Sequence, residues 1–346
     1  MPWLGAAVLR GAGMTSLGAR IALAAAVGLA TVTAVVYAAA RDGDEAPARL
    51  SQASWAALTP SPLERTEVGA ARVGDRIYVV GGYISSGGTT ARMVRYEISA
   101  DRWEEVAPMP IAVNHPGITA FHGHVYVLGG NLGSDEKSRR LYRYDPEPDR
   151  WKRLRDAPTA RAALALAGIG HRLYAAGGYT AEDSTVQRLE IYDLESNRWT
   201  VGPKMPTGRN HVGAAIFKRG LVVTGGRPGP EHGGLTTVER YDPARNRWSS
   251  LPNLTTARSG HATVTVGGRL GGRIVVFGGE ELDGGTTIEQ VELFDPRDGG
   301  WTALPEMITP RHGVGGAARG GRIYALEGGP QPGLAFSSAL EYLDLP

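Results

Sequence analysis

Two markers recur along this chain on one period, and that period limits the fold more than any other feature. Tryptophans stand at 55, 103, 151, 199, 248 and 301, spaced by 48, 48, 48, 49 and 53 residues, and of the seven in the chain only Trp3 lies outside the series. Glycine pairs at 81–82, 129–130, 177–178, 225–226 and 278–279 repeat three intervals of 48 and one of 53. A period of this length marks an array of one supersecondary unit, because such a unit cannot bury its apolar face alone.

Each unit reads as four short strands. In the first unit these are GAARVG at 69–74, DRIYVVGG at 75–82, MVRYEI at 93–98 and RWEEVA at 102–107. Alternation and the β-branched and aromatic content support each strand. Between the third and fourth strands the chain repeats one hairpin: YEISADRW at 96–103, YDPEPDRW at 144–151, YDLESNRW at 192–199, YDPARNRW at 241–248 and FDPRDGGW at 294–301. Pro243 fixes φ at one turn position. Asp242 is placed to accept hydrogen bonds from backbone amides ahead of it, and Asn246 tolerates the left-handed conformation that closes such a turn. Tyr241 and Trp248 flank the turn and are expected to pack on the blade faces.

Four strands in about 48 residues, repeated, are the signature of a β-propeller. RIYVVGG followed by VRYEISADRW, with its copies, resembles the kelch repeat, whose marks are a glycine doublet, a following tyrosine and a spaced tryptophan. The resemblance covers residues 53–346. RIYALEGG and SSALEYLDLP supply only three strands of a last unit, and SWAALTP around Trp55 is a fourth strand with no unit before it. The expected fold is therefore all-β: a six-bladed kelch propeller closed by its N-terminal strand, which hides the edges an open array would expose.

Residues 1–40 read as a separate unit. The run 21–40, IALAAAVGLATVTAVVYAAA, carries no charge, and Arg10 and Arg20 precede it. This fits either an export signal cleaved after Ala40 or a single membrane anchor. In both cases the preceding positive charge places the body outside the cytoplasm. Residues 41–52 read as a polar linker. The net charge is +2, and setting aside those two arginines leaves 35 basic and 35 acidic side chains in the rest. So balanced a body lacks the basic footprint of a nucleic-acid binder. With no cysteine there are no disulfides and no thiolate chemistry.

Loops on a rigid scaffold are where recognition usually resides. The loops entering each blade's first strand carry Arg65, Arg161, Arg209, Arg258 and Arg311 at one place, with Val113 in the second blade. Asn114, His115, Asn210, His211, His261 and His312 follow them. Kelch adaptor domains use arginines in similar loops to hold acidic peptides, so the resemblance implies an anionic ligand or partner, protein or carbohydrate. Five guanidiniums at a channel mouth would suit a carboxylate, sulfate or phosphate. The alternative is that each arginine pairs with an acid of its own or a neighbouring blade. Loops after the doublets differ from blade to blade and place Tyr83, Asn131, Tyr179, Arg227 and Glu280 at matching positions.

In the last blade Glu327 takes the place of the first glycine. There it is either a partly buried carboxylate that needs a partner, and so a candidate acid or base, or a bulge with an outward side chain. Other catalytic motifs are missing: there is no GxSxG elbow, P-loop or HExxH. His122 and His124 share a strand face, but no third ligand accompanies them, so neither metal nor cofactor is expected. The kelch-like copper oxidases need a cysteine that this chain lacks. The six-bladed sialic-acid mutarotases are similar in fold and bind an anionic sugar. Two functions are thus expected: an exported binding module that uses the mouth loops, or a carbohydrate-active enzyme that uses Glu327.

Overall fold

The computed structural model describes residues 53–345 apart from 134–135, 183, 231 and 268–271. The expected signal or anchor at 1–40 and the linker at 41–52 lie outside the described residues. Among the described residues no helix is long and apolar enough to cross a membrane.

Six four-stranded antiparallel sheets follow one another. Blade 1 is built from Gly69–Val73, Arg76–Val80, Met93–Glu97 and Arg102–Val106. Blade 4, which contains the hairpin YDPARNRW, runs Gly213–Phe217, Gly220–Thr224, Val238–Asp242 and Arg247–Ser250. Blade 6 takes Gly315–Arg319, Arg322–Leu326 and Leu340–Asp344 from the C-terminal end, and Trp55–Ala57 completes it. Trp55 lies opposite Leu343, and Ala57 opposite Glu341. The ring therefore closes between the first and last described strands, as the sequence implied.

Two sets of hydrogen bonds join each blade to the next. The tryptophan of each fourth strand donates its indole Nε1–H to a carbonyl at the exit of the preceding blade. Trp151 reaches Ala107 O at 2.9 Å and Trp248 reaches Pro203 O at 3.0 Å. At the closure Trp55 reaches Pro305 O and Trp103 reaches Thr59 O. The second set uses the doublets. The amide of Gly82 donates to Val113 O at 2.8 Å, and Gly178 to Arg209 O at 3.0 Å. The first glycine has φ of 69° at Gly81, and a Cβ there would sit 2.3 Å from Val113 O. A side chain there would crowd that carbonyl and hold a strained backbone, which favours glycine and makes the doublet recur. Blade faces pack between these bonds; Tyr78 and Val80 of blade 1 share a buried cluster with Val125 and Tyr144 of blade 2.

Candidate functional site at the channel mouth

The entering loops build the mouth with one repeated backbone. Two residues after each arginine position stand Glu67, His115, Ala163, His211, Gly260 and Gly313, all left-handed, with φ between 52° and 63°. Their peptides close a hydrogen-bonded circle. His115 N donates to Glu67 O, Ala163 N to His115 O, His211 N to Ala163 O, Gly260 N to His211 O and Gly313 N to Gly260 O. Val68 N completes the circle on Gly313 O at 3.3 Å. Glutamate, histidine and alanine accept a strained left-handed φ here because bonds on both sides determine it.

The five arginines are buried inside the blades and do not line the mouth. Arg65, Arg209, Arg258 and Arg311 are fully buried and Arg161 is 1% exposed. Each reaches from the entering loop into its own blade. Arg161 donates to Ala175 O, Arg209 to Val223 O and Thr237 O, Arg258 to Gly278 O and Gln290 O, and Arg311 to Ala325 O and Ala339 O. A glutamate on the third strand faces four of the five guanidiniums: Glu190 with Arg161, Glu239 with Arg209, Glu292 with Arg258 and Glu341 with Arg311. Burial brings Arg161, Arg209 and Arg258 down to about 10, and the glutamates oppose that shift. They stay charged at neutral pH. The anion these arginines hold is the chain's own carboxylate, and the expectation that they bind a ligand is corrected accordingly.

Glu327 belongs to the same system. It is fully buried, so the outward-facing bulge is also corrected. Its φ of 55° reproduces the glycine it replaces, and Gly328 still donates to Arg65 O at 2.8 Å. Its Oε2 accepts from Arg65 Nε at 2.7 Å, while Oε1 accepts from Arg65 Nη2 at 2.8 Å and Ser61 Oγ at 2.6 Å. Both oxygens are committed to a buried guanidinium, and this arrangement leaves no acid or base for substrate.

Other predicted residues do meet at the mouth. Glu67 bridges two histidines: Oε2 lies 3.0 Å from His115 Nε2 and Oε1 lies 3.2 Å from His312 Nδ1. Burial opposes its ionisation, but His115 by charge and hydrogen bond, and His312 likewise, hold it well below the carboxylate range. Burial also opposes charge on His312, yet Glu67 and Glu280 raise it above the usual histidine value. Burial, Arg227 and His115 push His211 well below that value. Asn114 and Asn210 are buried beside the histidines that follow them. His261 lies deeper, with Nε2 2.9 Å from Thr224 Oγ1. His124 pairs with Asp145 at 2.8 Å, and His122 stacks on Phe121.

Above the circle lies a cavity of about 230 Å³, lined by Tyr83, His115, Asn131, Tyr179, His211 and Arg227 among others. The Tyr179 and His211 rings stack 5.7 Å apart at 5°. Arg227 donates Nη1 to Glu280 at 2.9 Å and Nη2 to His211 Nε2 at 3.1 Å. Its buried Nε makes no hydrogen bond, and neither does Asn131 Oδ1. Sequence reasoning did not single out Glu67. Its signal was its place two residues after Arg65, in register with His115 and His211.

A six-bladed ring with doublet staples and variable mouth loops defines a kelch-type propeller. Two family models match the chain, the KLHDC2/KLHL20/DRC7 Kelch-repeats domain over residues 114–329 and the Kelch motif over residues 64–110. The chain belongs to the kelch-repeat family. It is similar to an F-box/kelch-repeat protein of Arabidopsis thaliana, 33% identical over 26% of this chain and 23% of that one. It is similar to alpha-scruin of Limulus polyphemus, 29% identical over 34% of this chain and 13% of that one. It also resembles Kelch-like protein 26 of Mus musculus, 31% identical over 33% of this chain and 18% of that one. The matches thus span less than a quarter of those relatives.

Proposed function

We propose that this chain is a protein-interaction module that receives an acidic segment of its partner in the channel mouth. The observation that carries this reading is one cavity lined by two residues, Arg227 and Asn131, that each hold an unmatched polar atom. Arg227 Nε lacks an acceptor and Asn131 Oδ1 lacks a donor. Leaving such groups buried without partners costs about 1–3 kcal/mol each. A carboxylate-bearing peptide supplies both partners, its oxygen to Arg227 and a backbone N–H to Asn131. The aromatic wall of Tyr83 and Tyr179 gives apolar area beside them. Kelch-type relatives as a class support a protein partner.

A random peptide library panned on the purified chain tests this. Enriched peptides should carry Asp or Glu, and Arg227→Ala should weaken them at least about tenfold, or 1.4 kcal/mol. Arg76→Ala, at the far end of a blade 1 strand, should leave them unchanged. Peptides that survive Arg227→Ala would remove the mouth from recognition. Export is part of the same proposal and rests on the uncharged run at 21–40 behind Arg10 and Arg20. A phosphatase fused after residue 346, active only outside the cytoplasm, checks it.

A further inference from the structure

We infer that Glu67, His115 and His211 form a binding site for a divalent transition metal of the zinc class at the channel mouth. This goes beyond the interaction reading and does not depend on it. One ligand atom from each of the three lies within 4.8 Å of the other two. Tetrahedral zinc holds its ligand atoms about 3.4 Å apart, given bonds of about 2.0–2.1 Å. His115 Nε2 and Glu67 Oε2 are already at 3.0 Å. Gathering the set requires closing its separations by up to about 1.4 Å. Two imidazoles and one carboxylate suit zinc, cobalt or nickel, and they leave a position open toward the cavity.

The surroundings of the histidines carry the argument further. A metal-binding histidine is normally fixed by a hydrogen bond from its other ring nitrogen, which sets the tautomer and aims the lone pair. Both histidines have that support, built twice. His115 Nδ1 lies 2.6 Å from Asn114 Oδ1, and His211 Nδ1 lies 2.5 Å from Asn210 Oδ1. Each asparagine is oriented by a threonine, Asn114 Nδ2 donating to Thr89 Oγ1 and Asn210 Nδ2 to Thr185 Oγ1, both at 2.7 Å. An asparagine oxygen only accepts, so Nδ1 carries a proton in both rings. His211 Nε2 then offers its lone pair, while His115 Nε2 points at Glu67 Oε2, where a metal would take the place of the shared proton and release it. The two Asn–His pairs sit two periods apart, in the loops entering blades 2 and 4, and their threonines come from blades 1 and 3. Glu67 stands at the matching position in blade 1.

Arg227 competes for this site. Its Nη2 donates to the His211 Nε2 lone pair that a metal needs. It must release that bond on metal binding while keeping Glu280 through Nη1. A purely structural cluster makes no such demand, and this gives the test its direction.

The full chain is titrated with Zn²⁺ by calorimetry and with Co²⁺ by visible absorption. One saturable ion per chain is expected, with cobalt bands typical of four or five ligands, and Mg²⁺ should not compete. His115→Ala and His211→Ala should each weaken binding at least tenfold. Asn210→Ala, which leaves all three ligands in place, should weaken it about tenfold. Arg227→Met should strengthen it severalfold and serves as the readout if a histidine variant fails to fold. Absence of saturable binding below millimolar zinc, or binding unchanged in the doubly substituted His115→Ala, His211→Ala chain, would overturn the site. Weaker binding in Arg227→Met would do so as well.

Discussion

Arg65 and Glu327 show one residue answering another across the ring. Blades 3 to 6 place glutamate second on their third strand, while blade 1 has Val94 there, in register with Val79 as Glu190 is with Ala175. Arg65 donates to Val79 O as Arg161 does to Ala175 O, so it faces the same carbonyl without the same carboxylate. Glu327 supplies that charge from blade 6 and accepts a left-handed backbone to do so. Blade 2 has neither member, only Val113 and Tyr142, both buried. Removing one partner of a buried pair costs about 3–5 kcal/mol because the other charge is stranded. Glu327→Gly should lower stability by that amount in urea titrations. Adding Val94→Glu should recover about 2 kcal/mol through its coupling to Arg65. A further loss would show that Val94 is not the equivalent position. His261 gives a pH test at the same scale. Burial, with Arg258 and Arg209 beside it, pushes this histidine well below its usual value. The folded chain keeps it neutral while the unfolded chain takes up a proton near pH 6.5. Its contribution is therefore intact above about pH 6.5 and lost as pH falls toward the folded value, by up to about 1.4 kcal/mol per pH unit. In His261→Gln the stability curve should be flatter below pH 6.5 by that slope; an unchanged curve would exclude His261 as the titrating group.

The hairpin between the third and fourth strands recurs because its parts depend on each other. Tyr241 Oη donates to Asn246 Oδ1 at 2.7 Å, and Asn246 sits at φ 49°. Asp242 Oδ1 accepts from the amides of Ala244 and Arg245. Tyr96 with Asp101, Tyr144 with Asp149 and Tyr192 with Asn197 repeat the bond from the tyrosine. Blade 5 has Phe294, which has no hydroxyl to satisfy, and glycine fills the turn position, Gly299 at φ 70°. Asn246→Ala should therefore cost about 1–2 kcal/mol, since it keeps a Cβ in the left-handed region and leaves Tyr241 without its acceptor. Asn246→Gly combined with Tyr241→Phe rebuilds the blade 5 solution and should fall within about 0.5 kcal/mol of the parent by thermal unfolding. The period, doublets and turn chemistry were legible because each is a local requirement repeated five times or more. The buried arginine–glutamate pairs were less legible. They join a loop to a strand about 30 residues away, and Val94 and Glu327 break the pattern at the two blades that meet.

At the scale of the whole molecule the ring is closed by three residues. The strand Trp55–Ala57 pairs with Leu340–Asp344, while Arg65 and Ser61 reach Glu327 just beyond. The number of blades could be read from the sequence, because a fourth strand without its unit and a unit without its fourth strand imply each other. Which side chains face the mouth could not, because the same loop sends Arg209 into the blade and His211 into the cavity, and a left-handed residue makes the difference. Closure has its own energetic test. Trp55 is 6% exposed, packs edge-on to Phe277 at 5.9 Å and donates to Pro305 O. Trp55→Ala should cost about 3–5 kcal/mol as a buried aromatic deletion. The loss should also be uneven. Without Trp55 the closing strand detaches first and bares the edge of Leu340–Asp344, a local opening well below global unfolding. Amide exchange in 340–344 should accelerate while that in Arg172–Ala176 of blade 3, on the other side of the ring, keeps its protection relative to global stability. If both segments lose protection equally, the ring opens only by complete unfolding, and the closing strand is no weaker than any other.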